Sequence, residues 1–338
     1  GVTLKLSELL VSAGTQMNSF ADIDIKGLAA DSRRVKPGYL FAALPGITID
    51  GRTFIPDAIE HGAVAVLSPE GTSISAKNIA LITDENPRLR LAQLAAEFYA
   101  RQPETAVAVT GTNGKTSVAY FLHQIWRSAG YQSAAMGTLG IISQTVEETG
   151  NLTTPDPVSL HQKLANLYDH GVNYVAMEAS SHGLDQFRID GVKLSAAGFT
   201  NLSRDHLDYH GSMSTYLSAK LRLFTDVLAP RATAVVNADI AESKDVIAAC
   251  EARSHKIFTF GYLGETLKLI SIKALSDSQE INIELQGRRH TLTIPLVGNF
   301  QAMNLLCAAG LALATGVTMK QVTEALKQVH GAPGRLEH

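Results

Sequence analysis

The run Thr110-Gly111-Thr112-Asn113-Gly114-Lys115-Thr116-Ser117 carries the residue types of a phosphate cradle. An apolar β-type segment, Ala106–Val109, leads into it, and a helical pattern, Val118–Ala129, leads out. A strand, a glycine-bearing loop and a helix start together aim backbone N–H groups at an anion, and the helix dipole favours negative charge there. Lys115 can reach β- and γ-phosphates, and the Thr116 hydroxyl stands where Mg²⁺ takes an oxygen ligand. The general phosphate-loop pattern asks for a glycine at the position of Val109, whereas the shorter form Gly-Thr-Asn-Gly-Lys-Thr is complete.

Further clusters of reactive residue types follow. Glu178 closes an apolar strand, Tyr174–Met177, and opens Glu178-Ala179-Ser180-Ser181-His182-Gly183. A carboxylate at the C-terminal end of a parallel strand sits where open α/β sheets bind ligands, and in phosphate-loop enzymes such an acid often holds Mg²⁺. The segment from Phe199 to His210 gathers Arg204, Asp205, His206, Asp208 and His210 behind another apolar strand. His206 is a candidate metal ligand or phosphate neighbour. Lys220, in Tyr216-Leu217-Ser218-Ala219-Lys220, reads on its own as an ordinary helix-surface lysine.

The elements that must position these residues alternate. Strands are predicted at Ala106–Val109, Tyr174–Met177, Ala196–Thr200 and Ala232–Val236. Helices are predicted at Val118–Ala129, Leu160–His170 and Leu217–Leu228. That alternation argues for a mostly parallel sheet covered on both faces. Ile281–Leu285 and His290–Ile294 read as a hairpin through Gly287, and Asn304–Ala314 and Met319–Val329 as helices. Before them lies a smaller α/β unit with turns at Pro37-Gly38, Pro45-Gly46 and Asp50-Gly51. Asp84-Glu85-Asn86-Pro87 reads as its boundary. The expected fold class is therefore α/β, with domains at 1–86 and 87–331 and a linker-like run at 332–338.

Composition narrows the function. The chain has 338 residues, 45% apolar and 18% charged, with a formal net charge of −3. No basic run is long enough to hold nucleic acid by electrostatics, no apolar stretch is long enough to span a membrane, and no signal peptide is visible. The two cysteines, Cys250 and Cys307, lie in helical apolar patterns and read as buried free thiols, pointing to a reducing compartment such as the bacterial cytosol.

Three runs together resemble the Mur ligase family: Gly111–Ser117; Met177-Glu178-Ala179-Ser180-Ser181-His182-Gly183-Leu184 with Arg188; and Thr200-Asn201-Leu202-Ser203-Arg204-Asp205-His206-Leu207-Asp208-Tyr209-His210-Gly211. Asp31-Ser32-Arg33 with Val35, Pro37-Gly38, Leu40-Phe41, Gly46 and Asp50-Gly51 resembles the family's UDP-binding domain. The resemblance spans essentially the whole chain and leans to the MurE branch, which adds the third amino acid to UDP-N-acetylmuramoyl-L-alanyl-D-glutamate.

The resemblance implies ATP as substrate and two Mg²⁺ sites. Gly111, Thr112, Asn113, Gly114, Lys115, Thr116 and Ser117 would cradle the phosphates, and Thr116, Glu178, His206 and Lys220 would help hold the metals. Lys220 matches the family's carbamylated lysine, so it would be neutral when it meets CO₂. Thr153, Thr154, Ser180, Gln186 and Arg188 match contacts to the muramoyl dipeptide, and Ala30, Ser32, Ile47, Thr48 and Ile49 positions around the uridine. Asn304, ahead of Asn299, matches an adenine contact, and Arg335 an arginine at the hinge into a third domain. That domain is absent from the 338 residues, which implies a fragment that binds without ligating; a monomer is expected. The third amino acid would be meso-diaminopimelate, with L-lysine as the other family substrate. MurF, folylpolyglutamate synthetase and a non-catalytic nucleotide-binding module are the competing readings. The segment Glu178–Arg188 with Thr153-Thr154 favours MurE over MurF, and the first domain disfavours the folate enzyme.

Overall fold

The computed structural model describes residues 2–12, 22–46, 48–150, 153–203 and 213–332. These fall into two compact units: one of residues up to Gln102 with Pro155–Ala165 and Gln186–Gly191, the other of Pro103–Thr154, Asn166–Asp185 and the chain from Val192.

The first unit is built on a parallel sheet in the order Gly27–Ala29, Tyr39–Ala42, Ala65–Pro69, Ala80–Asp84. Successive side chains of a strand point to opposite faces. Leu40, Ala42 and Leu67 therefore join Leu91, Leu94 and Phe98 on one side, while Phe41 and Val66 join Ile55 and Ala58 on the other. Both faces are apolar, so both must be covered.

The helix Pro87–Tyr99 supplies part of that cover. Asn86 caps it by accepting from the Leu89 amide at 3.2 Å, Pro87 starts it, and Ala100 ends it in a left-handed conformation. The expected boundary at 86/87 falls at the start of this helix, which buries Leu91, Leu94 and Phe98 within the first unit. The units part at Gln102/Pro103, and the second is not one continuous stretch.

Among the described residues, the second unit carries an eleven-stranded sheet. Its parallel centre runs Ser133–Gly137, Tyr174–Glu178, Thr105–Thr110, Leu194–Phe199, Thr233–Asn237, Lys256–Gly261. Gly140–Ser143 and Glu147–Glu148 extend one edge antiparallel, and Leu267–Ala274, Gln279–Leu285 and Arg288–Ile294 form the other end. The helices Lys115–Ser128, Asn299–Ala314 and Met319–Leu326 share one apolar core, in which Val107 and Val109 meet Phe121, Leu122, Leu305 and Leu306. The helix from Met213 ends at Arg222 and continues as a π-turn, Leu223–Val227. Cys250 and Cys307 are buried free thiols, as expected. No helix among the described residues is long and apolar enough to cross a membrane.

Candidate functional site

Parallel strands bring their C-terminal ends together, and ligands bind outside those ends in open α/β sheets. Here the loops after Thr105–Thr110, Ser133–Gly137, Tyr174–Glu178 and Leu194–Phe199 gather at one edge of the sheet.

The loop after Thr110 is held on both sides. The Thr112 amide donates to the Asn201 carbonyl at 3.0 Å, and the Asn113 amide to Asn201 Oδ1 at 2.9 Å. The Thr200 hydroxyl donates to the Asn113 carbonyl at 2.7 Å, and Asn237 Nδ2 to the Thr200 carbonyl at 2.7 Å. The helix then starts at Lys115, where first-turn amides have no intrahelical acceptor and stay oriented for an anion. Gly111 sits at φ +139°, and a Cβ there would lie 1.8 Å from Thr200 Oγ1. Gly111→Ala is therefore expected to combine backbone strain with a clash. It should lower Tm by several degrees, from roughly 1–3 kcal/mol of strain, and weaken nucleotide binding further, read by thermal melts with and without ADP. An unchanged melt would remove the geometric reason for this glycine.

Lys115 Nζ donates to the Gly111 carbonyl at 2.8 Å and to the Thr112 carbonyl at 3.3 Å. Lys220 Nζ donates to the same Gly111 carbonyl at 2.9 Å. The expectation of a surface lysine, drawn from the residues alone, is overturned. Lys220 is 1% exposed and its Nζ stands 4.5 Å from the Tyr216 ring centroid. Burial, and then the Lys115 charge, lower its pKa to about 7. Tyr216 also bonds Thr112 through its hydroxyl at 3.1 Å, a link that no motif announced.

Glu178 is 4% exposed. The Thr116 hydroxyl donates to its Oε1 at 2.9 Å, the Thr138 amide to its Oε2 at 2.9 Å and the Thr138 hydroxyl to Oε1 at 3.2 Å. Burial raises its pKa, while these hydrogen bonds and the Lys115 charge act against the rise. A buried carboxylate whose charged form is penalised, next to a threonine oxygen, suits a hard divalent cation.

Thr154 Oγ1 donates to the Glu178 carbonyl at 3.1 Å and accepts from the Ser180 amide at 3.0 Å. Thr153 Oγ1 lies 3.0 Å from Thr138 Oγ1. Thr153, Thr154 and Ser180 are thus assembled around Glu178 in the second unit, whereas Gln186 and Arg188 belong to the first. Asn304 is buried on the helix Asn299–Ala314, with its Oδ1 2.4 Å from where a Cβ on Gly114 would sit. His206, Arg335 and Ile47 lie outside the described residues.

In the first unit, Ala30 lines a cavity of about 690 Å³ together with Asp31, Arg34, Lys36, Tyr39 and Gln162. Ser32 is buried beside it in a short 3-10 turn, Ser32–Arg34, capped by Asp31. Hydrogen bonding from Arg33 holds the Asp31 carboxyl below its usual range. Thr48 and Ile49 are exposed, Ile49 by 56%. Sequence reasoning passed over Arg34 and Lys36, two of the three cations at this cavity, and Thr138 at the other site. Thr138 had one weak signal, a Gly-Thr turn after an apolar segment.

Comparison with known proteins fits this geometry. A family model described as Mur ligase middle domain matches residues 109–312, and one described as Mur ligase family, catalytic domain, matches residues 24–99. The chain is 46% identical over 334 residues to the UDP-N-acetylmuramoyl-L-alanyl-D-glutamate--2,6-diaminopimelate ligase of Mesorhizobium japonicum, covering 99% of this chain and 69% of the relative. It is 48% identical over 317 residues to the protein of the same name from Rhizobium meliloti, covering 94% and 65%. A solved structure of a ligase of that name superposes with a TM-score of 0.87 at 29% identity, covering 98% of this chain and 68% of the other. MurF from Acinetobacter baumannii shares the fold at a TM-score of 0.68 and 24% identity. The chain spans about two thirds of the length of the relatives it matches. With such identity along nearly all of its residues, and both family models matched in order, this chain belongs to the Mur ligase family.

Proposed function

We propose that the chain carries the UDP-substrate and ATP domains of an ATP-dependent amide ligase. It would add meso-2,6-diaminopimelate to UDP-N-acetylmuramoyl-L-alanyl-D-glutamate in peptidoglycan synthesis, in the cytoplasm and as a monomer. The names of the relatives at 46% and 48% identity support this reading over MurF. The observation that carries it is the buried Glu178 carboxylate bonded to Thr116 of the phosphate loop, with Lys115 acting on it electrostatically.

In this reading the D-glutamyl side-chain carboxylate attacks the γ-phosphorus of ATP. An O–P bond forms, the bond to the β-phosphate oxygen breaks, and ADP leaves. The amine of the third amino acid then attacks the acyl carbon, phosphate leaves, and the amine loses a proton. Gly111 to Ser117 hold the phosphates, and Lys115 faces the transferring group, where positioning and charge neutralisation do most of the catalysis. Thr116, Glu178, His206 and Lys220 would hold Mg²⁺, which when bound neutralises phosphate charge. Asn304 and Arg335 would face the nucleotide. Thr153, Thr154, Ser180, Gln186 and Arg188 would face the muramoyl dipeptide. Ala30, Ser32 and Ile47 to Ile49 would surround the uridine, with Arg34 and Lys36 near its diphosphate.

About a third of the relatives' own sequence lies outside the part matched by the 338 residues here. These residues by themselves are expected to bind UDP-N-acetylmuramoyl-L-alanyl-D-glutamate in calorimetry and to yield no tripeptide with ATP and diaminopimelate. ATP affinity is expected to be micromolar or weaker. Absence of muramoyl-dipeptide binding would overturn the assignment, and tripeptide formation would overturn the need for the additional sequence.

A further inference from the structure

We propose that Thr138 is a positioning residue that ties the threonine pair Thr153-Thr154 to the Glu178 carboxylate, so that occupancy of the substrate side is felt at the cation side. The inference rests on the reading of Glu178 as a metal-holding carboxylate.

The socket is made by two adjacent residues. Gly137 gives room, since a Cβ there would lie 1.8 Å from Glu178 Oε2. Thr138 then grips the carboxylate twice, its amide on Oε2 at 2.9 Å and its hydroxyl on Oε1 at 3.2 Å. Oε1 also accepts from Thr116 at 2.9 Å. Among the described residues, Oε1 therefore takes two hydroxyl donors and Oε2 one amide. A carboxylate oxygen offers two lone-pair sites, so Oε2 keeps one open. Thr138 thereby decides which oxygen of this buried acid remains available.

The same hydroxyl has a second partner, Thr153 Oγ1 at 3.0 Å. A threonine hydroxyl has one proton. With the Thr138 proton on the carboxylate, the Thr153 hydroxyl donates to Thr138, giving a directed chain from Thr153 through Thr138 to Glu178. The neighbouring Thr154 holds the Glu178 carbonyl at 3.1 Å. Two consecutive residues thus reach both ends of one glutamate, the side chain through Thr138 and the main chain directly. A ligand that moves or reorients the Thr153 hydroxyl changes the donor set of Thr138 and hence the hold on Glu178. Hydrogen bonds to an ionised carboxylate are the stronger kind, so the last link of the chain is the one that transmits.

The test uses Mn²⁺ as the probe, titrated by electron paramagnetic resonance against the 338-residue chain with and without saturating UDP-N-acetylmuramoyl-L-alanyl-D-glutamate. The unsubstituted protein is expected to bind Mn²⁺ more tightly with the dipeptide present. Thr138→Val keeps the amide bond and removes the hydroxyl. It should weaken Mn²⁺ roughly tenfold, the scale of outer-shell changes at metal sites, and erase the dipeptide effect. Thr138→Ser should restore both, which separates loss of the hydrogen bond from loss of fold. Thr153→Val should erase the dipeptide effect even at a dipeptide concentration that calorimetry shows to saturate the variant. Thr138→Val with unaltered Mn²⁺ affinity and an intact dipeptide effect would overturn the proposal. Glu178→Gln distinguishes the two levels. If it abolishes Mn²⁺ binding while Thr138→Val changes nothing, only the relay fails. If it binds Mn²⁺ normally, the reading of Glu178 fails, and the relay with it.

Discussion

Lys115→Ala, made in a protein of the relatives' full length, should lower kcat by at least about a hundredfold, the scale on which a preorganised charge at the reacting group contributes. The protein should remain folded. Lys115 Nζ donates to the Gly111 and Thr112 carbonyls, and Lys220 Nζ still holds Gly111 when Lys115 is gone. The loss should therefore fall on the reaction rather than on stability, with little change in the melt. A second consequence follows from the electrostatics. The Lys115 charge helps depress the Lys220 pKa and works against the rise in the Glu178 pKa. Removing it should raise both, so the variant loses more than the contact to the transferring phosphoryl group. Single-turnover kinetics would read the chemical step directly. A loss smaller than about tenfold, or about 1.4 kcal/mol, would give Lys115 a different role.

Lys220→Ala is expected to abolish ligation at the same full length, and added short-chain carboxylates should restore part of it. A carbamate on Nζ converts a cation into an anionic oxygen ligand suited to a hard divalent ion. Only the free amine attacks CO₂, and the surroundings of Lys220 favour that form. Its folded-state pKa is lowered from 10.5 to about 7 by burial and the nearby Lys115 charge. The sign is clear. Below about pH 6 the side chain is an ammonium and unreactive, and above about pH 8 it is mostly the neutral amine, so uptake of ¹³CO₂ should rise across that window. Burying the ammonium opposes folding while the group is charged, so Lys220→Met should melt higher than the unsubstituted protein in the absence of ligand, most clearly at low pH. Lys220→Arg should fail in catalysis, because guanidinium neither loses its proton here nor takes up CO₂. A ¹³C carbamate signal that persists in Lys220→Ala, or full activity of that variant without added carboxylate, would defeat the assignment.

Local signals carried much of this molecule into view before any coordinates. The phosphate loop is legible because its demands are local: a strand, two glycines, a lysine and a hydroxyl within a few residues. The alternation that predicts a parallel sheet is legible because strand and helix have different hydrophobic periods. Glu178 is legible because the end of a parallel strand is where such a sheet meets its ligand.

What escaped has physical reasons as well. Ser133–Gly137 reads Ser-Ala-Ala-Met-Gly, small residues with little strand preference, and becomes a strand only because both of its faces are buried in the sheet. Asp84-Glu85-Asn86-Pro87 reads as a domain boundary, since a proline that starts a helix and one that ends a domain are alike until the helix finds its core. Lys220 is the sharpest case. Its helix-surface spelling conceals a side chain that is 1% exposed, because burial depends on which face of the helix meets the phosphate loop. Thr138 drew attention only when the sheet set the strand before it beside that of Glu178, forty positions further along the chain. The sequence by itself determined which residues could do phosphoryl chemistry and which elements would carry them, since those choices rest on local pattern. The tertiary structure alone decided the ionisation of Lys220, the double grip of Thr138 on Glu178 and the division at Gln102, because each depends on desolvation and packing between segments remote in sequence.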